Sequence, residues 1–347
     1  MQILVLGNQG YVGPAFGQYV KKYHSSANLI GFDSGLFMDD WTVDGMVGDL
    51  CYAKQYRNDV RHLSQGHLQG INAVVSLAAV SNDLMGKAFK RATSEINELA
   101  VVDSAIQAKN NGVKKFVFAS SCSVYGFGGN SAKTEQDEIN PLTDYAVSKI
   151  NAEKKLRELA DDSFQVTCLR FATACGVSDR TRLDLVLNDF VWSLLNTGKV
   201  HVLSDGSPLR PLIDVMDMSR AIYWAIDAKH EQNFEVYNCG YNEANYSVAE
   251  LAHAVADGDL DRVAINKNAE PDKRSYKVNF SKFENASGFS SPLKSLGTSI
   301  SELKEQLNEI KKRHCEDEEL SRRFKRHETL KKLMTQNLIN EELEWRN

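Results

Sequence analysis

Tyr145 and Lys149 are the side chains of this 347-residue chain whose types and spacing most directly suggest chemistry. They stand four residues apart in the run Asp-Tyr-Ala-Val-Ser-Lys, so a helix would place both on one face. A lysine ammonium beside a phenol favours the phenolate and lowers its pKa, which makes the tyrosine a usable acid or base near neutral pH. A Tyr-x-x-x-Lys match often occurs by chance. Its value as evidence for a catalytic site therefore depends on the elements that would position the two side chains.

A glycine-rich turn near the N-terminus could supply a dinucleotide site. The apolar run Gln2–Leu6 shows no alternation, as is typical of a strand buried on both faces, and a helical pattern follows the glycines. Glycines allow a tight turn and a close approach to a pyrophosphate, and the N-terminus of the next helix offers unpaired N–H groups. The candidate cofactor contacts in this turn are Gly7, Gln9, Gly10, Tyr11, Val12 and Gly13.

A second predicted strand, Leu29–Phe32, leads into Asp33, which lies 20 residues after Gly13. A carboxylate here accepts hydrogen bonds from both ribose hydroxyls and repels a 2′-phosphate, so it predicts NAD rather than NADP. The alternative is a solvated turn aspartate. Asp49 and Leu50 are predicted to lie beside the adenine.

Another predicted strand, Lys115–Ala119, runs into a hydroxyl-rich turn that contains Ser121 and Ser123. Ligands of open parallel sheets bind at the carboxyl ends of strands, so these hydroxyls are expected at the site. Ser121, helped by Ser123, could hold the substrate oxygen that Tyr145 protonates or deprotonates. Serine-rich turns are usually only turns, but the order of strand, serines and Tyr-x-x-x-Lys favours a functional role.

Strands alternate with helical stretches through about residue 170, which predicts a parallel sheet covered on both faces. The expected fold class is α/β, a Rossmann-type doubly wound parallel sheet with a smaller, interleaved C-terminal substrate lobe and a helical tail. The other predicted strands are Ala73–Leu77 and Gln165–Arg170, and two later strands are expected to return to the sheet, Leu212–Val215 and Glu235–Asn238. The predicted domains are 1–177 for NAD binding, with about 208–240 returning to it, 178–207 and 241–300 for the substrate lobe, and 301–347 for a charged helical extension.

Together these motifs resemble the extended short-chain dehydrogenases/reductases, and within them the NAD-dependent nucleotide-sugar epimerase/dehydratase family, over roughly residues 1 to 300. Three further segments carry the resemblance: Val75–Ala79 is similar to a His-Leu-Ala-Ala strand end, Leu169–Gly176 to Arg-x-x-Asn-x-Tyr-Gly, and Asp205–Asp217 to a Gly-rich turn with Arg-x-x-Ile-x-Val-x-Asp. The cofactor contacts that it adds are Leu77, Ala78, Ala79, Tyr145, Lys149 and Phe171.

The resemblance also implies substrate contacts. In the family, the arginine that corresponds to Arg210 binds the sugar-nucleotide diphosphate, a role that suits a planar guanidinium. Arg274 is either a second phosphate contact or a surface charge, and Ser81 and Asn82 either touch the sugar or cap the next helix. The charged run 178–188 resembles a branch with Arg-x-Arg-x-Asp-Leu-Val-x-Asn. The candidate substrate-binding residues are Ser81, Asn82, Ser121, Thr173, Arg180, Arg182, Asn188, Arg210 and Arg274.

Departures from the family pattern reduce the number of activities that the resemblance allows. Family 4,6-dehydratases carry Thr-Asp-Glu where this chain has Ser121, Cys122 and Ser123, so 4,6-dehydration is disfavoured. Thr173 and Cys175 replace an asparagine and a tyrosine, which leaves the nucleotide and the sugar open. The main expectation is an NAD-dependent nucleotide-sugar epimerase that acts at C4 through a transient keto-sugar. The alternatives are an NAD(H)-dependent nucleotide-sugar dehydrogenase or keto-sugar reductase, and a cofactor-binding regulatory or scaffold protein.

The composition of the chain argues against several other classes of function. A net charge of −5 offers no basic surface for nucleic acid, and no apolar run approaches the length of a membrane span. Six cysteines without a Cys-x-x-Cys pair and eight scattered histidines predict neither a metal site nor a disulfide framework. The strand that follows Met1 leaves no room for a signal peptide, so a cytoplasmic location is expected.

The end of the chain is more highly charged than the rest. Residues 302–347 hold 11 acidic and 11 basic residues without proline or glycine. Leu303, Leu307 and Ile310 recur at helical spacing, as do Leu320 and Phe324, so one or two amphipathic helices are predicted. They would either pack on their own domain or contact a partner. The family resemblance implies a homodimer through helices near 95–111 and 145–160.

Overall fold

The computed structural model describes residues 1–38, 48–126, 131–269, 275–314 and 320–346. Its strands are β1 (Gln2–Leu6), β2 (Asn28–Asp33), β3 (Tyr52–Arg57), β4 (Ala73–Ser76), β5 (Lys115–Ser121), β6 (Gln165–Phe171), β7 (Thr173–Cys175), β8 (Val200–Val202), β9 (Leu209–Asp214), β10 (Phe234–Cys239), β11 (Asn245–Ser247) and β12 (Val263–Ile265).

The α-helices are α1 (Val12–Tyr23), α2 (Gln65–Leu68), α3 (Asp83–Ala88), α4 (Lys90–Ser94), α5 (Ala100–Asn110), α6 (Asp144–Leu159), α7 (Val186–Thr197), α8 (Val215–Asp227), α9 (Val248–Val255), α10 (Ser281–Ser287), α11 (Leu296–Arg313), α12 (Leu320–Arg323) and α13 (Arg326–Thr335). A π-helical turn, Glu95–Leu99, joins α4 to α5, and short 3₁₀ turns occupy Asp49–Cys51, Val60–His62, Cys122–Tyr125, Asn242–Ala244 and Leu260–Arg262. Within the described ranges, no helix is both long enough and apolar enough to cross a membrane.

The central sheet is parallel and has seven strands in the order β10-β6-β5-β4-β1-β2-β3. Its middle strands are apolar on both faces because helices cover both, and Ile3, Leu4, Val5 and Leu6 of β1 are fully buried. The order reverses direction beside β1, where β4 lies on one side and β2 on the other. This is the doubly wound arrangement that the sequence predicts, and the cleft of such a sheet opens at the carboxyl ends of the strands near that reversal.

Of the two later strands that were expected to return to the central sheet, one does so and the other does not. The prediction that Glu235–Asn238 returns to the sheet is confirmed, because β10 pairs with β6. The prediction for Leu212–Val215 is wrong: β9 pairs with β7 and β11 in a separate three-stranded sheet. A short apolar run shows that a strand is buried but does not reveal which sheet it joins. The strand β3, which the sequence patterns did not single out, forms the edge beyond β2, and most of its side chains are exposed.

The later part of the chain builds a second hydrophobic core. It contains apolar side chains of α7, α9 and α11, with Leu303, Leu307 and Ile310 of α11 buried in it. The predicted boundary at residue 301 therefore falls inside a helix, because α11 begins at Leu296, where the Ser295 hydroxyl accepts from the Thr298 N–H at 3.1 Å. The last residues behave differently: Leu330, Leu333, Ile339 and Leu343 pack into the core beside the main sheet.

Candidate active site

A cavity of about 910 Å³ opens at the carboxyl ends of the parallel strands. Five central strands or the residues just after them line it, with Gly7 after β1, Asp33 on β2, Ala78 after β4, Ser121 on β5 and Phe171 on β6. Side chains of the second core close its opposite side. The glycine turn, the carboxylate, the serines and the Tyr-x-x-x-Lys pair thus converge on one space, although they are spread over more than 140 residues of sequence.

Tyr145 and Lys149 enter the cavity from the first turns of α6. The helix begins after Thr143, whose hydroxyl accepts from the Ala146 N–H at 3.2 Å, and this cap fixes where the tyrosine stands. The Lys149 ammonium nitrogen lies 5.6 Å from the centre of the Tyr145 ring and donates to the Ala119 carbonyl at 2.7 Å. The predicted pairing on one helix face is therefore present.

The electrostatics of this pair differ from the expectation. Burial raises the pKa of Tyr145 to about 12, and a hydrogen bond with Ser121 and the charge of Arg182 act in the opposite direction. Burial lowers the pKa of Lys149 to about 7, against the charge of Glu153. Lys149 therefore does not supply a fixed positive charge beside the phenol, because its own charge is disfavoured by the same burial. The groups that favour the phenolate are Ser121 and Arg182.

The serine turn presents two hydroxyls to the cavity. Ser121 accepts a hydrogen bond from the Ser123 N–H at 3.1 Å. The Ser123 hydroxyl is buried, and it has no hydrogen-bond partner among the residues that the structure describes. Cys122, between them, points into the core, where its thiol donates to the Arg170 carbonyl at 3.0 Å. Ser123 is thus a polar group that a ligand in the cavity could satisfy.

The glycine turn is shaped by close contacts. Gly7 has φ of 82°, and a Cβ atom there would lie 2.5 Å from the Ala78 nitrogen. A Cβ atom on Gly13 would lie 1.9 Å from the Asn8 carbonyl oxygen, so both positions exclude any larger residue. Gly10 lines the cavity, and the closest described atom to a Cβ there would be the Gly7 carbonyl oxygen at 3.3 Å. Tyr11 and Val12 also line the cavity, whereas Gln9 and Gly13 do not.

Asp33 is held at the edge of this turn. Its carboxylate accepts from the Gln9 N–H at 2.9 Å and from the Gly35 N–H at 2.8 Å, so it is fixed by backbone donors rather than solvated. Burial raises its pKa, and these two hydrogen bonds oppose that shift. Asp33 lines the cavity, and Leu77, Ala78 and Ala79, which follow β4, line it too.

The expectation for Asp49 and Leu50 does not fit the structure. Both lie in a 3₁₀ turn before β3, neither lines the cavity, and the Leu50 side chain is 74% exposed. Asp59 and Val60, directly after β3, line the cavity instead. No sequence pattern indicated them, because β3 is an edge strand whose side chains are mostly exposed and which therefore lacks a continuous apolar run.

Six of the predicted substrate contacts line the cavity: Ser81, Asn82, Ser121, Thr173, Arg182 and Arg210. The Arg182 guanidinium donates to both carboxylate oxygens of Asp184, at 2.8 and 3.0 Å, and to the Ser81 hydroxyl at 3.1 Å. Asn82 donates to Asp184 at 2.7 Å, and its side-chain oxygen accepts from the Met85 N–H at 2.8 Å, which caps α3.

Two predicted substrate contacts lie outside the cavity. Arg180 is fully buried and forms an ion pair with Asp49 at 2.8 Å. Asn188 is buried too, and its amide donates to the Arg182 carbonyl at 2.9 Å. Both residues therefore position the segment that carries Arg182, because that segment folds back against the glycine turn, where Tyr11 donates to the Gly176 carbonyl at 2.5 Å. Arg274 lies outside the described residues.

Several cavity residues had no counterpart in the sequence expectations. Val248 of the second core lines the cavity together with Tyr276 and His201, and Arg326, Leu330 and Leu343 line it from the end of the chain. Their contribution arises from contacts between distant segments, which no local motif reports.

The arrangement fits a dinucleotide. Gly10 leaves space beside the N-terminus of α1, a 12-residue helix whose first N–H groups face the turn, and a fixed carboxylate stands at the end of the neighbouring strand. A pyrophosphate and a ribose are the groups that such donors and such an acceptor recognise. The acid–base pair and the serines lie farther along the same cavity.

Comparisons with known proteins agree with this geometry. The family model described as the NAD dependent epimerase/dehydratase family matches residues 3–240, more than half of the chain. A UDP-glucose 4-epimerase of Vibrio cholerae is 31% identical over 181 residues, which is 48% of this chain and half (50%) of that protein. A UDP-glucose 4-epimerase of Lactobacillus helveticus is 26% identical over 286 residues, 75% of this chain and 83% of that protein.

The solved structures extend the likeness to the fold as a whole. A UDP-glucuronic acid 4-epimerase from Bacillus cereus, in complex with UDP-glucuronic acid and NAD, has a TM-score of 0.76 at 22% identity. The match covers 89% of this chain and 100% of that one.

Proposed function

Because the chain belongs to the NAD-dependent epimerase/dehydratase family, we propose that it is a nucleotide-sugar epimerase that inverts C4 through a transient keto-sugar. The observation that carries the proposal is the group formed by Tyr145, Ser121 and Ser123, in which an unpartnered hydroxyl and a potential proton acceptor face one cavity. The relatives named as UDP-glucose 4-epimerases favour a UDP-hexose as the substrate.

The residues that would hold NAD follow from the turn and the strand ends. We assign the pyrophosphate to Gly7, Gly10 and the N-terminus of α1, and the adenosine ribose to Asp33. Asp59 and Val60 replace Asp49 and Leu50 as the candidates beside the adenine. When bound, NAD supplies a hydride acceptor that returns the hydride to the same sugar carbon.

Proton transfer is assigned to Tyr145. Its phenolate accepts the proton of the C4 hydroxyl, and the phenol returns it after the keto-sugar has turned its other face. Ser121 and the positive charge of Arg182 favour the phenolate, against the burial that raises its pKa. Ser123 donates to the substrate oxygen, and Lys149, whose pKa of about 7 allows both protonation states near neutrality, binds the nicotinamide ribose.

Substrate binding is assigned to the remaining cavity residues. Arg182, held by Asp184, faces the sugar together with Ser81 and Asn82. Arg210 binds the diphosphate, since a guanidinium pairs with phosphate oxygens in bidentate fashion. The family includes dehydratases, but the positions of their catalytic carboxyl groups hold Cys122, which is buried in the core, and Ser123. We therefore propose that the chain does not catalyse 4,6-dehydration.

We also propose a homodimer. The π-helical turn, α5 and α6 carry exposed apolar side chains, Leu99, Ile106 and Val147, on the helices that the family resemblance assigns to the interface. A dimer formed through these helices would cover these side chains. Light scattering coupled to size-exclusion chromatography should give twice the chain mass for the wild type and the monomer mass for Ile106→Glu.

The activity is tested with purified protein and a panel of UDP-sugars without added cofactor. Interconversion of C4 epimers with no net change in free NADH is expected, and Tyr145→Phe should show none while it still binds NAD. Product formation that consumes free NAD or NADH in equal amount would instead identify a dehydrogenase or a keto-sugar reductase.

A further inference from the structure

The C-terminal segment, residues 320–346, forms part of the cavity wall. Arg326, Leu330 and Leu343 line the same continuous space as the glycine turn and Asp33. Leu330 and Leu343 are almost fully buried, at 1% and 2% exposure, and belong to the hydrophobic core beside the main sheet. The segment is therefore packed into the protein and is not a solvated extension of it.

Polar contacts fix the segment to the loops that follow β2 and β3. The Trp345 indole donates to the Ser34 carbonyl at 2.7 Å, immediately after Asp33. Arg61, just after β3, donates to the Glu342 carbonyl at 2.9 Å while it also pairs with Asp59 at 2.8 Å. Both loops thus contact the last residues of the described chain.

The start of the segment is fixed to the other side of the cleft. The Leu183 N–H donates to the Phe324 carbonyl at 2.9 Å, and Phe324 is buried in the second core. Arg326 donates to the Arg180 carbonyl at 3.2 Å. The C-terminal segment consequently bridges both sides of the cleft, with Leu330 and Leu343 between its two anchors.

The end of the cavity that it covers can be identified. The loop after β2 carries Asp33 and Phe37, and the Arg326 guanidinium lies 4.2 Å from the centre of the Phe37 ring. Arg326 is also one of the charges that act to lower the pKa of Asp33. In a doubly wound sheet, the carboxylate after the second strand marks the adenosine ribose, so this is the adenosine end. The acid–base pair lies on α6, after the serine turn of β5.

We propose that the C-terminal segment is a built-in wall of the adenosine-binding half of the dinucleotide site, with Leu330 and Leu343 in the part of the wall that lines the cavity. The inference rests on the proposed function only in that a dinucleotide occupies this cleft. A ligand that contacts the docked segment stabilises the docking, and the docked segment in turn slows release of the ligand. The segment thereby retains the cofactor between turnovers, as an epimerase that regenerates its own cofactor requires.

Alanine variants of the full chain separate this role from simple stability. Leu330→Ala and Leu343→Ala remove cavity contacts, whereas Leu333→Ala and Ile339→Ala remove buried side chains of the same segment that do not line the cavity. For all four variants, calorimetry measures the affinities for NAD and ADP-ribose. The rate of NAD release is measured after dilution, and thermal unfolding measures stability. Because the first pair alters the part of the wall that lines the cavity, both ligands should bind about tenfold more weakly to these two variants.

The control pair should bind both ligands within about twofold of the wild type, despite a similar loss of thermal stability. Equal weakening in all four variants, or none in the first pair, would overturn the proposal. Hydrogen exchange gives a readout that needs no variant: amides in 326–343 should exchange more slowly when ADP-ribose is added, and unchanged exchange would count against the wall.

The two proposals fail in different ways. If NAD affinity depends on Leu330 and Leu343 but the wild-type protein does not interconvert sugars, the epimerase proposal is overturned and the proposal for the C-terminal segment stands. If the protein is an active epimerase but its Leu330→Ala and Leu343→Ala variants retain NAD as well as the control variants do, only the proposal for the C-terminal segment is overturned. A wild-type protein that binds neither NAD nor ADP-ribose would overturn both.

Discussion

The Arg182 guanidinium, which the Asp184 carboxylate holds with hydrogen bonds of 2.8 and 3.0 Å, opposes the burial that raises the pKa of Tyr145. The arginine keeps its charge at all working pH values, whereas burial lowers the pKa of Lys149 to about 7. The permanent cation of this acid–base site is therefore Arg182.

Removal of Arg182 should shift the pH profile of turnover. Without the guanidinium the pKa of Tyr145 rises, so the ascending limb of kcat against pH should move to higher pH and kcat at neutral pH should fall about 10- to 100-fold. The measurement is the kcat profile of Arg182→Met/Asp184→Asn, in which no lone buried carboxylate remains. Arg182→Lys keeps the charge and should shift the limb less. An unmoved limb in the double variant would contradict the role given to Arg182.

The Ser123 hydroxyl should matter for catalysis and not for stability. Ser123 and Ser104 are both buried hydroxyls without a partner among the described residues, but only Ser123 lines the cavity. Ser123→Ala should reduce kcat/KM about tenfold, because the substrate oxygen loses a donor. Ser104→Ala, the matched control, should leave kcat/KM unchanged, and neither variant should unfold more easily. Equal activity of the two variants would show that Ser123 does not touch the substrate.

Asp33 should set the choice of cofactor. Asp33→Asn removes the negative charge and keeps an oxygen acceptor for only one of the Gln9 and Gly35 N–H groups, because these donate to different carboxylate oxygens. We expect NAD to bind about tenfold more weakly and the preference for NAD over NADP to shrink by at least as much, since repulsion of the 2′-phosphate is lost. Calorimetric titration with both dinucleotides measures this. An unchanged preference would place the ribose elsewhere.

The buried Lys149 should make stability depend on pH. Its pKa is lowered from 10.5 to about 7 in the folded protein, so between these values the unfolded chain binds a proton that the folded chain does not. The free energy of unfolding should therefore rise with pH over this window, by about 1 kcal/mol per pH unit relative to Lys149→Met. Urea denaturation of both cofactor-free proteins at several pH values tests this, and parallel pH dependences would contradict the lowered pKa.

Local patterns predicted the parts of the site that local structure determines. The glycine turn, Asp33, the serine turn and the Tyr145–Lys149 pair each lie at the end of a buried strand or the start of a helix, and the doubly wound order brings them together. Arg180 shows the limit of such reasoning. Its charge and position suggested a substrate contact, but it is ion-paired with Asp49, 131 residues earlier in the chain, and only the folded structure shows that contact.

Long-range packing also explains why the cavity wall at the end of the chain was not foreseen. The spacing of Leu303, Leu307 and Ile310 predicted a helix that is α11, and the spacing of Leu320 and Phe324 falls at the short helix α12, whereas α13 was not predicted. Nothing in the spacing indicated that Leu330 and Leu343 would reach the loops after β2 and β3, since amphipathic periodicity identifies an apolar face without its partner.

The most direct test of the central claim follows one hydrogen atom. UDP-glucose that carries deuterium at C4 is incubated with the purified protein in ordinary water, and the product is examined by NMR and mass spectrometry. The proposed mechanism returns the hydride to the carbon from which it came, so the C4 epimer should form with its deuterium retained. Loss of the label to water, or its appearance in free NADH, would contradict epimerisation through a transient keto-sugar.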